Sequence, residues 1–95
     1  MTIYALSSGS GLSGIAVIRV SGKNTSDVIK RITGKGLPQK RVATLRKFNK
    51  NGGKQMIDEG VVIWFPGPNS YTGEDLAEFH VHGSRAVIKA MHLAI

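Results

Sequence analysis

The run Asp75-Leu76-Ala77-Glu78-Phe79-His80-Val81-His82-Gly83-Ser84 decides how this chain folds. From Glu78 to His82 polar and apolar side chains alternate, the period-two pattern of a strand with one face in a core. Gly83 interrupts the pattern. Ser84 is placed to cap a helix whose apolar residues Val87, Ile88, Met91 and Ile95 recur at helical spacing. A strand over Asp75–His82 feeding directly into a helix calls for a layer of helices on a sheet.

The rest of the chain supplies the partners. Gly14-Ile15-Ala16-Val17-Ile18-Arg19-Val20-Ser21 is β-branched and almost continuously apolar, which predicts a strand buried on both faces. Thr2 to Leu6 reads as a shorter strand before it, ended by the Ser/Gly run from Ser7 to Gly11. Asn24 can cap a short helix with Asp27 in its first turn, Val28, Ile29 and Ile32 on one face, and Gly34 as its stop. Gly34 to Arg41 is a loop, Val42 to Phe48 a strand, Asn51-Gly52-Gly53 a hairpin turn, and Met56 to Phe65 the returning strand. Pro66-Gly67-Pro68-Asn69 ends that strand, because a proline has no N–H for a ladder. The expectation is a single domain over residues 1–95, α/β (α+β-like), with a mixed β-sheet of about five strands and two helices. The apolar face of the last helix is unfinished at Ile95 with no cap beyond it, so the chain reads as the front part of a longer one.

Composition narrows the functions. The 95 residues hold 13 Lys and Arg against 6 Asp and Glu, a net charge of +7, and no cysteine. Without cysteine there are no disulfides, thiolate metal sites or thiol nucleophiles, and a reducing compartment, the cytoplasm, is expected. The longest strongly apolar stretch, Val61 to Pro66, is far shorter than the ~20 residues of a membrane span, so no membrane partner is expected. The charge is concentrated. Residues 23–54 carry ten of the basic side chains against the single acid Asp27, whereas residues 55–95 carry a small excess of acids. Such a segment is either a phosphate-facing surface for RNA or DNA or a solvated region that keeps a small domain soluble. Its single aromatic, Phe48, argues against a base-stacking platform.

Arg19 is the anomaly of the Gly14–Ser21 strand, because it shares a face with Val17 and Ser21 while Ile18 and Val20 point the other way. A guanidinium buried there requires a partner. The Asp75–His82 strand offers Glu78, His80 and His82 on one face, successive groups about 6.5–7 Å apart. Three readings of this constellation stand side by side: a metal site, a structural Arg19–Glu78 pair with half-exposed histidines, and a small-molecule site. In the last, Glu78 accepts hydrogen bonds from an amidine-like heterocycle edge and Arg19 holds an anionic tail. Three candidate ligands on one strand are too few for a convincing metal centre, and none is assigned. No phosphate-binding G-x-x-x-x-G-K-[ST] loop occurs, and Ser7, Ser8, Ser10 and Ser13 form either a connector or an anion nest.

The segment Trp64-Phe65-Pro66-Gly67-Pro68-Asn69-Ser70-Tyr71-Thr72-Gly73-Glu74-Asp75, with Glu78 and His82-Gly83 after it, resembles the signature of the bacterial tRNA-modification GTPases called MnmE or TrmE. Thr2-Ile3 and Ile18-Arg19-Val20-Ser21-Gly22 are similar to the start of the same proteins, so the resemblance spans nearly the whole chain. It implies an N-terminal folate-binding and dimer-forming domain, akin to folate-dependent aminomethyltransferases, that takes 5-formyl- or 5,10-methylene-tetrahydrofolate. It implies folate contacts at Arg19 and Glu78, with a further lysine contact beyond Ile95 and no catalytic residue within this chain. The whole protein would hydrolyse GTP with magnesium and potassium in a separate GTPase domain. With an MnmG (GidA) flavoprotein it would install an aminomethyl-type group on the wobble uridine of tRNA. The alternative is a small basic RNA-binding module without a cofactor. A purely structural dimer domain is a third reading.

Overall fold

The computed structural model describes residues 3–6, 14–68 and 73–95. The Ser/Gly run of residues 7–13 and the middle of the signature, residues 69–72, lie outside the described residues, and so do the readings of Ser7, Ser8, Ser10 and Ser13. The elements in chain order are β1 (Ile3–Leu6), β2 (Ile15–Ser21), α1 (Thr25–Thr33), β3 (Thr44–Lys50), β4 (Gln55–Phe65), β5 (Leu76–His82) and α2 (Arg85–Ala94). A single 3-10 turn, Asn51–Gly53, joins β3 to β4 as a hairpin.

The strands lie in the order β1-β2-β5-β4-β3. Every neighbouring pair is antiparallel, so the mixed sheet expected from the sequence is an open antiparallel one. The reason is topological. β5 arrives last and inserts between β2 and β4, running against both, while α1 carries the chain from β2 to the opposite edge and leaves no parallel neighbours. The central strand is therefore the one whose alternation is clearest in the sequence.

Both helices cover one face of the sheet. Ala16, Ile18 and Val20 of β2, Val62 and Trp64 of β4, and Ala77, Phe79 and Val81 of β5 meet Val28, Ile29 and Ile32 of α1 and Met91 of α2 in one buried cluster. Phe48 joins it from β3, with its ring edge-on to Phe79 at 5.3 Å between centroids. The burial of β2 on both faces is corrected by this arrangement. Ala16, Ile18 and Val20 are buried, whereas Ile15 and Arg19 are exposed and Val17 and Ser21 half-buried. Arg19 lies on the face away from the helices, where the apolar run has no covering layer among the described residues.

The helix ends follow the sequence with one exception. Gly34 stops α1 in the left-handed conformation, its N–H donating to the Lys30 carbonyl at 2.9 Å. Ser84 caps α2, its Oγ accepting from the Val87 N–H at 3.2 Å. Asn24 occupies the cap position of α1 but makes no side-chain capping bond. The adjacent Thr25 anchors that end instead, its hydroxyl donating to the Gly22 carbonyl at 2.7 Å.

Candidate functional site

The uncovered face of the sheet holds the polar groups singled out in the sequence. Register places Arg19 of β2 directly opposite Glu78 of β5, and Val17 opposite His80. Cross-strand partners share a face, so the guanidinium meets the carboxylate, Arg19 Nε donating to Glu78 Oε2 at 2.9 Å. On the other oxygen, His80 Nε2 lies 3.0 Å from Glu78 Oε1. An ionised carboxylate only accepts, so the Nε2 facing it carries the hydrogen.

Burial grades this network. The Glu78 side chain is 15% exposed and that of Arg19 47%, so the carboxylate is sunk in the sheet while the guanidinium reaches solvent. The buried arginine expected from the sequence is therefore half open, because the outer face of β2 has no cover among the described residues. Burial pushes the Glu78 carboxyl up, but the bonds from His80 and Arg19 and their attraction outweigh it and leave its pKa below the ordinary 4.5.

His82 does not join Glu78. It turns to Asp58 on β4, whose carboxylate accepts the His82 backbone N–H at 2.8 Å and faces its ring Nδ1 at 2.8 Å. Burial raises the Asp58 carboxyl, and the bonds from His82 and from the Glu59 backbone more than offset this, setting its pKa below the ordinary 3.8. The three titratable groups of β5 thus divide between two carboxylate centres. Among the described residues no three His, Asp or Glu side chains form a group that could hold a metal.

Two features escaped the sequence reading. Asp58 is one; the available signal was the adjacent acids Asp58 and Glu59 within a strand, which point to opposite faces so that each meets different neighbours. Gly60 is the other. Any side chain at Gly60 would collide with the His80 carbonyl and press on the Phe48 ring, so only glycine lets β4 lie this close to β5.

Next to the Arg19–Glu78–His80 network lies a cavity of about 390 Å³, walled by Ile15, Ala43, Val61 and Ile63 and edged by His80 and His82. It falls at the small end of the range for small-molecule sites, about 300–1,000 Å³. Its lining is mostly apolar, with Glu59, His80 and His82 as its polar groups. Arg19 and Glu78 stand beside it, and His80 is the link between them and the cavity.

Residues 2–95 match the family model described as "GTP-binding protein TrmE N-terminus". The chain belongs to this TrmE N-terminal family. It is 65% identical over its full length to the tRNA modification GTPase MnmE of Pelagibacter ubique, covering 21% of that protein. It is 50% identical over 99% of its length to the mitochondrial 5-taurinomethyluridine-[tRNA] synthase subunit GTPB3 of Danio rerio, covering 19% of it. A similar match, 50% over 92% of the chain, joins it to the mitochondrial tRNA modification GTPase gtpbp3 of Dictyostelium discoideum. The chain thus spans about a fifth of the length of the curated relatives it matches. The TrmE N-terminal family is shared by bacterial and mitochondrial proteins named for tRNA modification. No helix among the described residues is long and apolar enough to cross a membrane.

Proposed function

We propose that this chain is the folate-binding, dimer-forming N-terminal domain, residues 1–95, of a cytoplasmic tRNA-modification GTPase. The observation that carries the reading is the Glu78 carboxylate, sunk in the open face of the sheet, bonded once on each oxygen, and set beside an apolar cavity. Each carboxylate oxygen has a second lone-pair site, so Glu78 retains room for two donors of a pterin edge. Val61 and Ile63 supply an apolar wall for a flat ring. The half-exposed Arg19 guanidinium suits an anionic tail. These residues fit a reduced folate, which supplies a one-carbon unit when bound. The likeness to folate-dependent aminomethyltransferases belongs to the same reading.

In the whole protein this domain would work with GTP, magnesium and potassium bound elsewhere and with an MnmG-type flavoprotein. The reaction would attach an aminomethyl-type group at C5 of the wobble uridine of tRNA. The names of the relatives support the tRNA-modification part. Dimer formation is supported by the apolar side chains exposed on the sheet's open face, Ile15 at 60% and Leu45 at 63%. Calorimetric titration of the full chain with 5-formyl-tetrahydrofolate tests the folate reading. Saturable binding lost in Glu78→Gln is expected, and no binding to the wild type overturns it.

A further inference from the structure

We propose that the outer edge of the sheet, at β3, is a docking track for the phosphate backbone of RNA. The proposal rests on the tRNA-modification reading for the identity of the nucleic acid, and on the distribution of charge for its place. β3 is one of the two edge strands. Between it and the end of α1 runs a groove of about 630 Å³ whose walls carry Lys35, Arg46 and Lys47 against a single carboxylate, Glu59. Asn49 and Gly52 are shared with a second depression of about 360 Å³, which adds Arg31 and Lys50. Five cations therefore line one continuous path with one acid.

Local structural duties account for part of the basic segment, Arg31 included, but not for Lys35 and the cations along β3. Lys30 and Arg31 lie in the last turn of α1, where cations complement the helix dipole, and Arg31 also donates to the Ala94 and Ile95 carbonyls. Arg41 is held by the Phe65 ring, 5.8 Å from its centroid, and by its own N–H to the Trp64 carbonyl. The Lys35 and Lys47 side chains are exposed and make no hydrogen bond or close ion pair among the described residues, although Lys47 stands across the ladder from Glu59. Arg46 donates to the Leu45 carbonyl, yet its Nε is buried without a hydrogen-bond partner, so the guanidinium is under-satisfied. Phe48, the single aromatic between residues 23 and 54, is fully buried. With no aromatic side chain among the described residues that line it, the track reads charge and spacing rather than sequence.

The test is fluorescence anisotropy with the full chain and a labelled, unmodified tRNA transcript, titrated from 50 to 200 mM KCl. The double variant Lys35→Gln/Lys47→Gln leaves Arg46 and the core intact. It is expected to bind about 10- to 30-fold more weakly near 100 mM salt, with the slope of log K against log salt flatter by about 1.5. The control Lys23→Gln/Lys40→Gln removes the same charge away from the groove and is expected to stay within about threefold of wild type. An unchanged slope in the groove variant, or an equal loss in the control, overturns the track. So does polyglutamate that displaces tRNA at matched charge, which would assign the edge to an acidic polypeptide. Folate titration of the groove variant should match the wild type. A wild type that binds tRNA through the groove but takes no folate would remove the folate reading and leave the track standing.

Discussion

Arg19 and Glu78 are separated by 59 positions in the chain and stand directly opposite each other across β2 and β5, joined Nε to Oε2 at 2.9 Å. The pair is asymmetric. The carboxylate is nearly buried and the guanidinium half in solvent, so breaking the pair from the two sides has different consequences.

Replacing Glu78 by Gln keeps the shape and one acceptor but sets an N–H against donors. Because Arg19 can turn to water, the fold should persist, with thermal melting lowered by no more than about 1 kcal/mol of stability. Folate affinity should fall by about 2–4 kcal/mol, the scale of a lost charge-assisted pair with donor facing donor. Arg19→Lys should weaken folate binding less, since the ammonium keeps the charge and loses only the planar fork. Melts and calorimetry on both variants check this, and normal folate binding by Glu78→Gln would remove Glu78 from the site.

Acid should destabilise the domain through two of its carboxylates. Asp58 and Glu78 both have folded-state pKa values below their ordinary ones. The unfolded chain therefore binds protons first as the pH falls. Their stabilisation is complete above the ordinary carboxylate range, around pH 4–5, and is lost as the pH drops through the folded-state values. Urea midpoints between pH 6 and pH 3 should show the decline, and Asp58→Asn should make it shallower. A parallel decline in Asp58→Asn would mean that the Asp58–His82 contact contributes nothing.

Gly60 sets how closely β4 and β5 approach. Gly60→Ala should destabilise the fold by about 2–3 kcal/mol, because the methyl group meets the His80 backbone, which cannot turn aside as a side chain could. The His80–Glu78 contact should loosen with it. Denaturant melts together with the His80 ring resonances in NMR would register both, and a variant as stable as wild type would contradict the close approach.

The two helix ends supply a smaller test. Ser84→Ala removes the acceptor for the Val87 N–H and should cost about 1 kcal/mol. Asn24→Ala, at a cap whose side chain makes no capping bond, should cost less than half of that. Equal losses in thermal melts would show that the two caps act alike.

How far the sequence foretold this molecule depended on whether each signal was local. The alternation in β5, the stop at Gly34 and the cap at Ser84 are set by neighbouring residues, and each stands where the pattern put it. The pairing of Arg19 with Glu78 was also legible, because an arginine inside an apolar strand requires a carboxylate and few were suitably placed. The uniform antiparallel sheet was not legible, since strand order depends on β5 entering between β2 and β4, which no local pattern records. The outer face of β2 misled for the same reason: a run of apolar side chains does not disclose which of its two sides receives the helices. Asp58 went unseen because it stands beside Glu59 at the polar end of β4, where an acid reads as solvated, and only the fold brings His82 to it.

The late arrival of β5 at the centre of the sheet also governs how the chain is made. During synthesis the residues up to Phe65 emerge with β2 and β4 each presenting an unpaired border, and neither can be sealed until Leu76–His82 has left the ribosome tunnel. Contacts across 59 positions then close in one step, which favours slow, cooperative acquisition of structure over a strand-by-strand build. Nascent chains halted before Leu76 should thus be digested rapidly by protease, and those extended past Ile95 by a tunnel-spanning linker should resist it.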